Sequence, residues 1–353
     1  MNDHSIEDFR ARILERKPLR IRGGGGKDFY GGELVGDVLD TRTHSGIVNY
    51  DPTELVITLK AGTTLKEAQL VLATRRQYLP FDAPLFAGAE VATIGGVVAA
   101  GLSGPRRASV GALRDFVLGM RVMDGVGREL KFGGEVMKNV AGYDVSRLMT
   151  GSMGTLGVIL DVSLKVLPMP MTEATLRIEM TQIRALELMN QWSGEALPIS
   201  ATCWVDGVLS VRLSGAEPAV RAAQSRLGGA IVDEAQAHIF WNSLRDIQHE
   251  FFTRDETLWR LSTPSVTPQL TWTNESLIEW GGAQRWFYST AAASEIHTLA
   301  ASVGAGATAF KNGNRSGHVF APLTPAVLAL HQRIKAQFDP HDIFGRGRLH
   351  PDL

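Results

Sequence analysis

Of the 37 glycines in the chain, 24 lie between Gly23 and Gly157, and the longer segment beyond holds only 13. Glycine is costly in ordered structure. It is kept where the backbone needs positive φ or where something approaches the main chain closely. The glycines cluster in Gly23-Gly-Gly-Gly26, in the uncharged run Ala92 to Gly104 and in Gly151-Ser-Met-Gly-Thr-Leu-Gly157. Gly-rich turns between apolar, β-type runs point to a large, extended ligand lying against backbone amides.

Several function classes are excluded by composition. At 353 residues with 44% hydrophobic and 21% charged side chains, the chain resembles an ordinary globular protein of about two domains. A net charge of −1 provides no overall basic field for nucleic acid. A single cysteine, Cys203, excludes a disulfide framework and a cysteine-ligated iron–sulfur cluster. It sits in an apolar strand-like run and is expected to be an inert core thiol. Met1 to Arg20 is charged and lacks a signal-peptide core. The longest apolar run, Thr93 to Leu102, is about half of the ~20 residues a spanning helix needs. The expectation is a cytoplasmic chain without a membrane span, with peripheral association through a partner at the inner membrane face left open.

Along the chain, a charged helix over Ile6–Arg16 precedes a strand, Pro18–Arg22, that runs into Gly23–Gly26. Two phosphate motifs fail there. A Walker A loop needs Gly at position 21 and Ser or Thr after Lys27, where the chain has Ile21 and Asp28. A dinucleotide fingerprint needs a third glycine where Phe29 stands. Short strands follow at 37–40, 46–50 and 54–60. Thr64 and Glu67 then form a capping box for a helix reaching about Arg76. In Ala92–Gly104 the Gly-Gly pair costs a helix about 2 kcal/mol relative to alanines; a helix N-terminus at Thr93–Gly96 facing a phosphate makes use of those glycines. Strands at 117–123, 129–132 and 158–167 follow, with an Asp124-Gly hairpin turn and a helical turn at Asp144–Met149, and Pro168 and Pro170 mark a boundary. The next segment reads strand 174–180, helix 184–192, strands 200–205 and 208–213, helix 218–227 and strand 230–234, which is the ferredoxin-like βαββαβ order. A helix at 239–252, strands near 259–262, 276–280 and 285–288, and helices at 295–303 and 324–338 complete the chain.

Five motifs in order resemble the flavin-binding fold of the p-cresol methylhydroxylase and vanillyl-alcohol oxidase family. They are Ile21–Lys27, Ala92–Val97, Arg114-Asp115, Lys138-Asn-Val-Ala-Gly-Tyr-Asp144 and Gly151–Ile159. The match covers roughly Pro18 to Pro168. Met137-Lys-Asn-Val-Ala-Gly-Tyr-Asp, Leu258-Trp-Arg-Leu-Ser and Trp280-Gly-Gly-Ala are similar to the flavin-binding subunits of bacterial glycolate-oxidising complexes within that family. The resemblance implies an α+β protein with an FAD-binding domain of two α/β subdomains over 1–170, a ferredoxin-like α+β cap over 171–338, and a tail, 339–353, returning to the first domain. It implies that Gly23, Gly24, Gly25, Gly26 and Lys27 hold the FAD pyrophosphate, and that Thr93, Ile94, Gly95 and Gly96 line the diphosphate and flavin. Gly101, Ser103, Gly104, Gly111, Arg114 and Asp115 continue the groove. Gly157, Val158 and Ile159 meet adenine or ring edges, and Pro80 and Asp82 lie near the ribityl chain. Lys138, Asn139 and Tyr143 are either structural or in contact with the cofactor.

Some family members attach flavin covalently to a histidine in the first loop; Gly26 occupies that position here, which implies non-covalent FAD. The histidine-rich cap motifs of catalytic D-type relatives are absent. His318 in Lys311-Asn-Gly-Asn-Arg-Ser-Gly-His318 is a poor metal site alone, and no metal is expected. The implied role is an FAD-dependent oxidoreductase subunit that works with a D-type flavoprotein partner and an F-type iron–sulfur partner, and the sequence identifies no catalytic residue. The alternatives are a structural subunit of such a complex and a stand-alone oxidoreductase acting on an alcohol or 2-hydroxy acid.

Overall fold

The computed structural model describes residues 4–134, 144–273 and 275–353. Lys138, Asn139 and Tyr143 lie outside the described residues. The first lobe has two parts. The helix His4–Leu14 covers a parallel strand pair, Leu19–Arg22 with Asp37–Asp40. Beside it stands a five-stranded antiparallel sheet in the order Ile47–Asp51, Val56–Lys60, Val158–Lys165, Val117–Met123, Glu129–Gly133. Val158–Lys165 is central and buried on both faces. Val158 and Leu160 pack with Phe9, Ile13 and Leu39, while Ile159, Val162 and Leu164 pack under the helices Leu65–Ala73 and Ile94–Ala100.

Thr64 and Glu67 form the expected capping box. The glycine pair is helical in Ile94–Ala100 despite its propensity cost. A Cβ on Gly95 would lie 2.7 Å from the Cβ of Ala61, so close packing of the helix on the strand end outweighs intrinsic preference here.

The second lobe is one eight-stranded antiparallel sheet. Its first four strands run Ala230–Val232, Thr172–Glu179, Val208–Gly215, Ile199–Val205 across the sheet, the 4-1-3-2 order of a ferredoxin-like unit. Leu277–Glu279, Gln284–Tyr288, Leu258–Ser262 and Gly306–Lys311 extend it. The last of these strands is absent from the sequence expectation, because Gly-Ala-Thr-Ala carries too little apolar bulk to stand out. The helix expected over 239–252 runs instead over Glu234–Arg245, capped by Asp233, and is followed by a separate 3-10 turn, Glu250–Phe252, capped by His249. Helices Gln182–Ser193 and Glu217–Leu227 pack with Leu176, Leu209 and Val211 in one apolar core. Phe240, Trp241 and Leu244 of Glu234–Arg245 share another with Tyr30 and Leu102 of the first lobe. That core joins the lobes.

The C-terminal residues pack against the first strand. Leu19 N–H donates to Ile343 O (2.6 Å), and Gly345 N–H donates to Leu19 O (3.2 Å). The lock is Lys335, buried on helix Pro325–Phe338. Its Nζ donates to Asp339 (2.7 Å), Phe344 O (2.7 Å) and Thr155 O (2.8 Å), and Asp339 in turn accepts from the N–H groups of Ile343 and Phe344. Removing one partner of a buried pair strands the other, at a cost of about 3–5 kcal/mol. Lys335→Met should lose stability of that order in urea unfolding, with Lys335→Arg losing less; an unchanged midpoint for Lys335→Met would show that the lock is dispensable.

Candidate functional site

The glycine run leaves the parallel strand Leu19–Arg22 and curls, with Asp28 N–H reaching Gly25 O (3.0 Å) and Tyr30 N–H reaching Lys27 O (3.1 Å). Gly25 takes φ +74°. From Gly24 to Lys27 no main-chain N–H has an acceptor among the described residues. Four consecutive unpaired donors are unusual in a folded chain, and successive free amides form an anion-binding concavity.

The cations nearby divide into spent and unspent. Arg22 pairs with Asp28 (2.8 Å). Arg348 donates to the carbonyl oxygens of Gly32 and Lys27, and Arg315 to those of Gly31 and Gly32, so both arginines fix the loop. Lys27 has no ion-pair partner among the described residues and sits 5.8 Å from the Phe86 ring centroid. Burial pulls its pKa down to about 8, against a partial restoring pull from Asp246. The buried Nε of Arg20 has no hydrogen-bond partner among the described residues.

These groups line an open cavity beside the glycine run. Of the residues expected at the cofactor, Gly23, Gly24, Gly25, Gly26, Lys27, Thr93, Gly95, Gly96, Gly157 and Ile159 line it. A row of free amides beside two unspent cations fits a diphosphate-bearing ligand.

Thr93–Gly96 has a different role from the one expected. Its first amides are already consumed: Ile94 N–H donates to Thr63 O (2.9 Å), Gly95 N–H to Ala61 O (2.8 Å) and Gly96 N–H to Thr93 Oγ1 (3.3 Å). This helix start is a wall of the cavity and offers no free donors in its first turn. What lies close to the first glycines is the chain itself. A Cβ on Gly23 would stand 2.1 Å from Thr93 Oγ1, and one on Gly24 would stand 1.8 Å from Val91 O.

The other expected residues lie off this cavity. Ile94 and Val158 are core residues. Pro80 is buried elsewhere. Asp82 accepts from Arg212 of the second lobe (3.0 Å) and neighbours Arg106 (3.4 Å), so it ties the lobes together. Gly101 caps its helix at φ +63°. Gly111 follows a short helix. Arg114 and Asp115 are exposed, and Asp115 accepts from Ala112 N–H (2.9 Å). Ser103 and Gly104 line a second cleft at the lobe interface.

The cavity also includes residues that were not anticipated: Arg20, Phe86, Met153, Gly154, Gly345 and Arg348. Arg20 was findable, since strand alternation puts it on the same side as Arg22 just before the glycine run. Arg348 carries no local signal, because it arrives from the far end of the chain. Cys203 is buried, as expected of a core thiol, and burial raises its pKa.

Residues 11–133 match the FAD binding domain family. Over 348 residues the chain is 46% identical to glycolate oxidase subunit GlcE of Escherichia coli (strain K12), covering 99% of this chain and 97% of that one. It is 32% identical over 174 residues to glycolate oxidase subunit GlcD of Bacillus subtilis (strain 168), covering 47% of this chain and 36% of that one. Among solved structures, an alkyldihydroxyacetonephosphate synthase superposes with a TM-score of 0.70 at 14% identity, over 97% of this chain and 75% of the other; that likeness concerns the fold alone. The chain belongs to the family of glycolate oxidase GlcE subunits, within the p-cresol methylhydroxylase and vanillyl-alcohol oxidase flavoproteins.

Proposed function

We propose that this chain is the FAD-binding subunit of a complex that oxidises glycolate to glyoxylate, and that it holds FAD without a covalent bond. The observation that carries the reading is the row of N–H groups from Gly24 to Lys27, unpaired among the described residues, beside Lys27 and Arg20, which have no ion-pair partner among them. Two cations and a row of donors suit the two charges of a diphosphate. Non-covalent binding is supported by Gly26 in the loop and by a cavity lining without histidine, cysteine or tyrosine among the described residues.

Bound there, FAD supplies the two-electron chemistry, and the protein supplies binding and orientation. Gly24–Lys27 would hold the diphosphate, Lys27 and Arg20 would offset its charge, and Arg315 and Arg348 would keep the loop in shape. A D-type flavoprotein partner takes hydride from glycolate in this scheme, and an F-type partner carries the iron–sulfur clusters; passage of electrons toward it is this chain's share. The family relationship to a named oxidase subunit supports a heteromeric setting. So does the single buried cysteine, which cannot ligate a cluster. The division at 1–170, 171–338 and 339–353 belongs to the same proposal, supported by each sheet lying within one of the first two ranges. A cytoplasmic setting, with any membrane association made through the partners, is likewise proposed; no helix among the described residues is long and apolar enough to cross a membrane.

The purified chain should be yellow and should release its flavin into the supernatant on acid precipitation. Colourless protein that takes up no FAD would refute the cofactor assignment and favour a structural subunit. Flavin retained in the pellet would refute non-covalent binding.

A second test uses pH. A lysine with a lowered pKa loses its proton as pH rises through about 8, and an anionic ligand favours the charged form. FAD affinity should therefore be level below neutrality and fall above pH 8 by up to about tenfold per pH unit. Lys27→Met should bind about 10- to 100-fold more weakly at pH 7, as loss of a charged hydrogen bond implies, and should lose the alkaline slope. A variant that keeps the slope would remove Lys27 from the site.

A further inference from the structure

Helix Pro325–Phe338 is, at 14 residues, the longest among the described residues, and its only buried residue is Lys335. Helices in folded chains draw most of their stability from packing one apolar face. The second half of this helix does so. Ile334 and Phe338 pack on the core of the first lobe, and Phe338 meets the Phe132 ring at 6.3 Å between centroids. The first half does not. Thr324 caps it, and Pro325 to Leu330 reads Pro-Ala-Val-Leu-Ala-Leu, without a polar side chain. Yet Val327 is 40% exposed and Leu330 is 51% exposed.

Val327, Leu330 and Ile334 stand at i, i+3 and i+7. That is the a, d, a spacing of a coiled-coil seam, and β-branched residues at a with leucine at d favour a single partner helix. Ile334 roots the stripe in the chain's own core, and Val327 and Leu330 carry it out into solvent.

Charge narrows the occupant. Arg333 flanks the stripe at a g position. It donates within its own helix to Ala329 O (3.4 Å) and has no carboxylate partner among the described residues. From residue 296 to residue 338 the sequence holds four lysines and arginines and no aspartate or glutamate. Lys335 is taken by Asp339, and Arg315 by the carbonyl oxygens of the glycine loop. A second copy of this helix would bring no carboxylate to Arg333, and in antiparallel register it would set the two arginines against each other. A helix from a different chain, with acidic residues beside its seam, satisfies both the stripe and the charge.

We propose that Val327, Leu330 and Arg333 form the docking stripe for one amphipathic helix of a partner subunit, apolar along its seam and carrying aspartate or glutamate beside it. The inference rests on the heteromeric reading above and locates where that assembly is made.

The test co-expresses the tagged full chain with the D-type and F-type subunits of its own organism and measures capture of either. Wild-type chain should capture a subunit. Val327→Asp combined with Leu330→Asp should lower that capture at least tenfold, while circular dichroism and flavin content stay unchanged. Arg333→Glu should weaken it by a similar factor, and Arg333→Lys should retain it. Leu330→p-benzoylphenylalanine, irradiated in the complex, should cross-link to a helix of the captured subunit that bears acidic residues. Unchanged capture by a folded Val327→Asp, Leu330→Asp variant overturns the stripe, and unchanged capture by Arg333→Glu overturns the acidic partner. A cross-link to a second copy of this chain also overturns the proposal. Wild-type chain that captures neither subunit refutes the heteromeric reading and the stripe together, whereas capture that survives every variant refutes the stripe alone.

Discussion

Four main-chain N–H groups without acceptors among the described residues set the terms for the rest of this structure. A folded chain pairs nearly all of its backbone donors, and leaving a run of them open is tolerated only where water or a ligand completes them. Gly24–Lys27 must therefore be held in a shape it would not choose alone. Strand Leu19–Arg22 fixes one end. Arg315 from the second lobe and Arg348 from the tail grip the carbonyls on the far side. Thr93, the cap of helix Ile94–Ala100, and Val91 just before it close so tightly on the loop that side chains at Gly23 and Gly24 would collide with them. The glycines thus serve packing, and through it the proposed anion binding: absent side chains let two backbones meet, and the meeting holds the amides open.

Much of this was legible in the sequence, for identifiable reasons. Strand runs such as Val117–Met123, the capping box at Thr64 and Glu67, and the βαββαβ order all rest on local pattern, and local pattern survives folding. The glycine run reads the same way. What failed depended on partners far away in the chain. The amides of Ile94 and Gly95 look free in sequence, yet Thr63 and Ala61 take them. Asp82 looks like a cofactor neighbour, yet it answers to Arg212, 130 residues on. Arg348 has no sequence signature at all, since its role exists only once Lys335 and Asp339 have folded the tail onto the first strand.

The lobes communicate through a core that is apolar in the middle and charged at one side. Tyr30 and Leu102 pack with Phe240, Trp286 and Phe310, while Asp82, Arg106, Arg212 and Glu173 form an ion network alongside. An apolar core resists sliding and a buried ion network penalises misregister, so the interface favours one relative placement. The cavity is walled by the first lobe and the tail, and Arg315 of the second lobe braces its loop, so one fixed placement of the lobes keeps that loop in shape.

The tail contact has a kinetic consequence. Strand Leu19–Arg22 is made early, but its partner at Ile343–Gly345 and the loop clamp at Arg348 emerge more than 300 residues later. Closing so long a loop is slow and comes late in folding. The proposed anion cradle thus reaches its final form only after Arg348 has been made and has found its register, and a chain folded only part of the way has no finished loop to capture a cofactor.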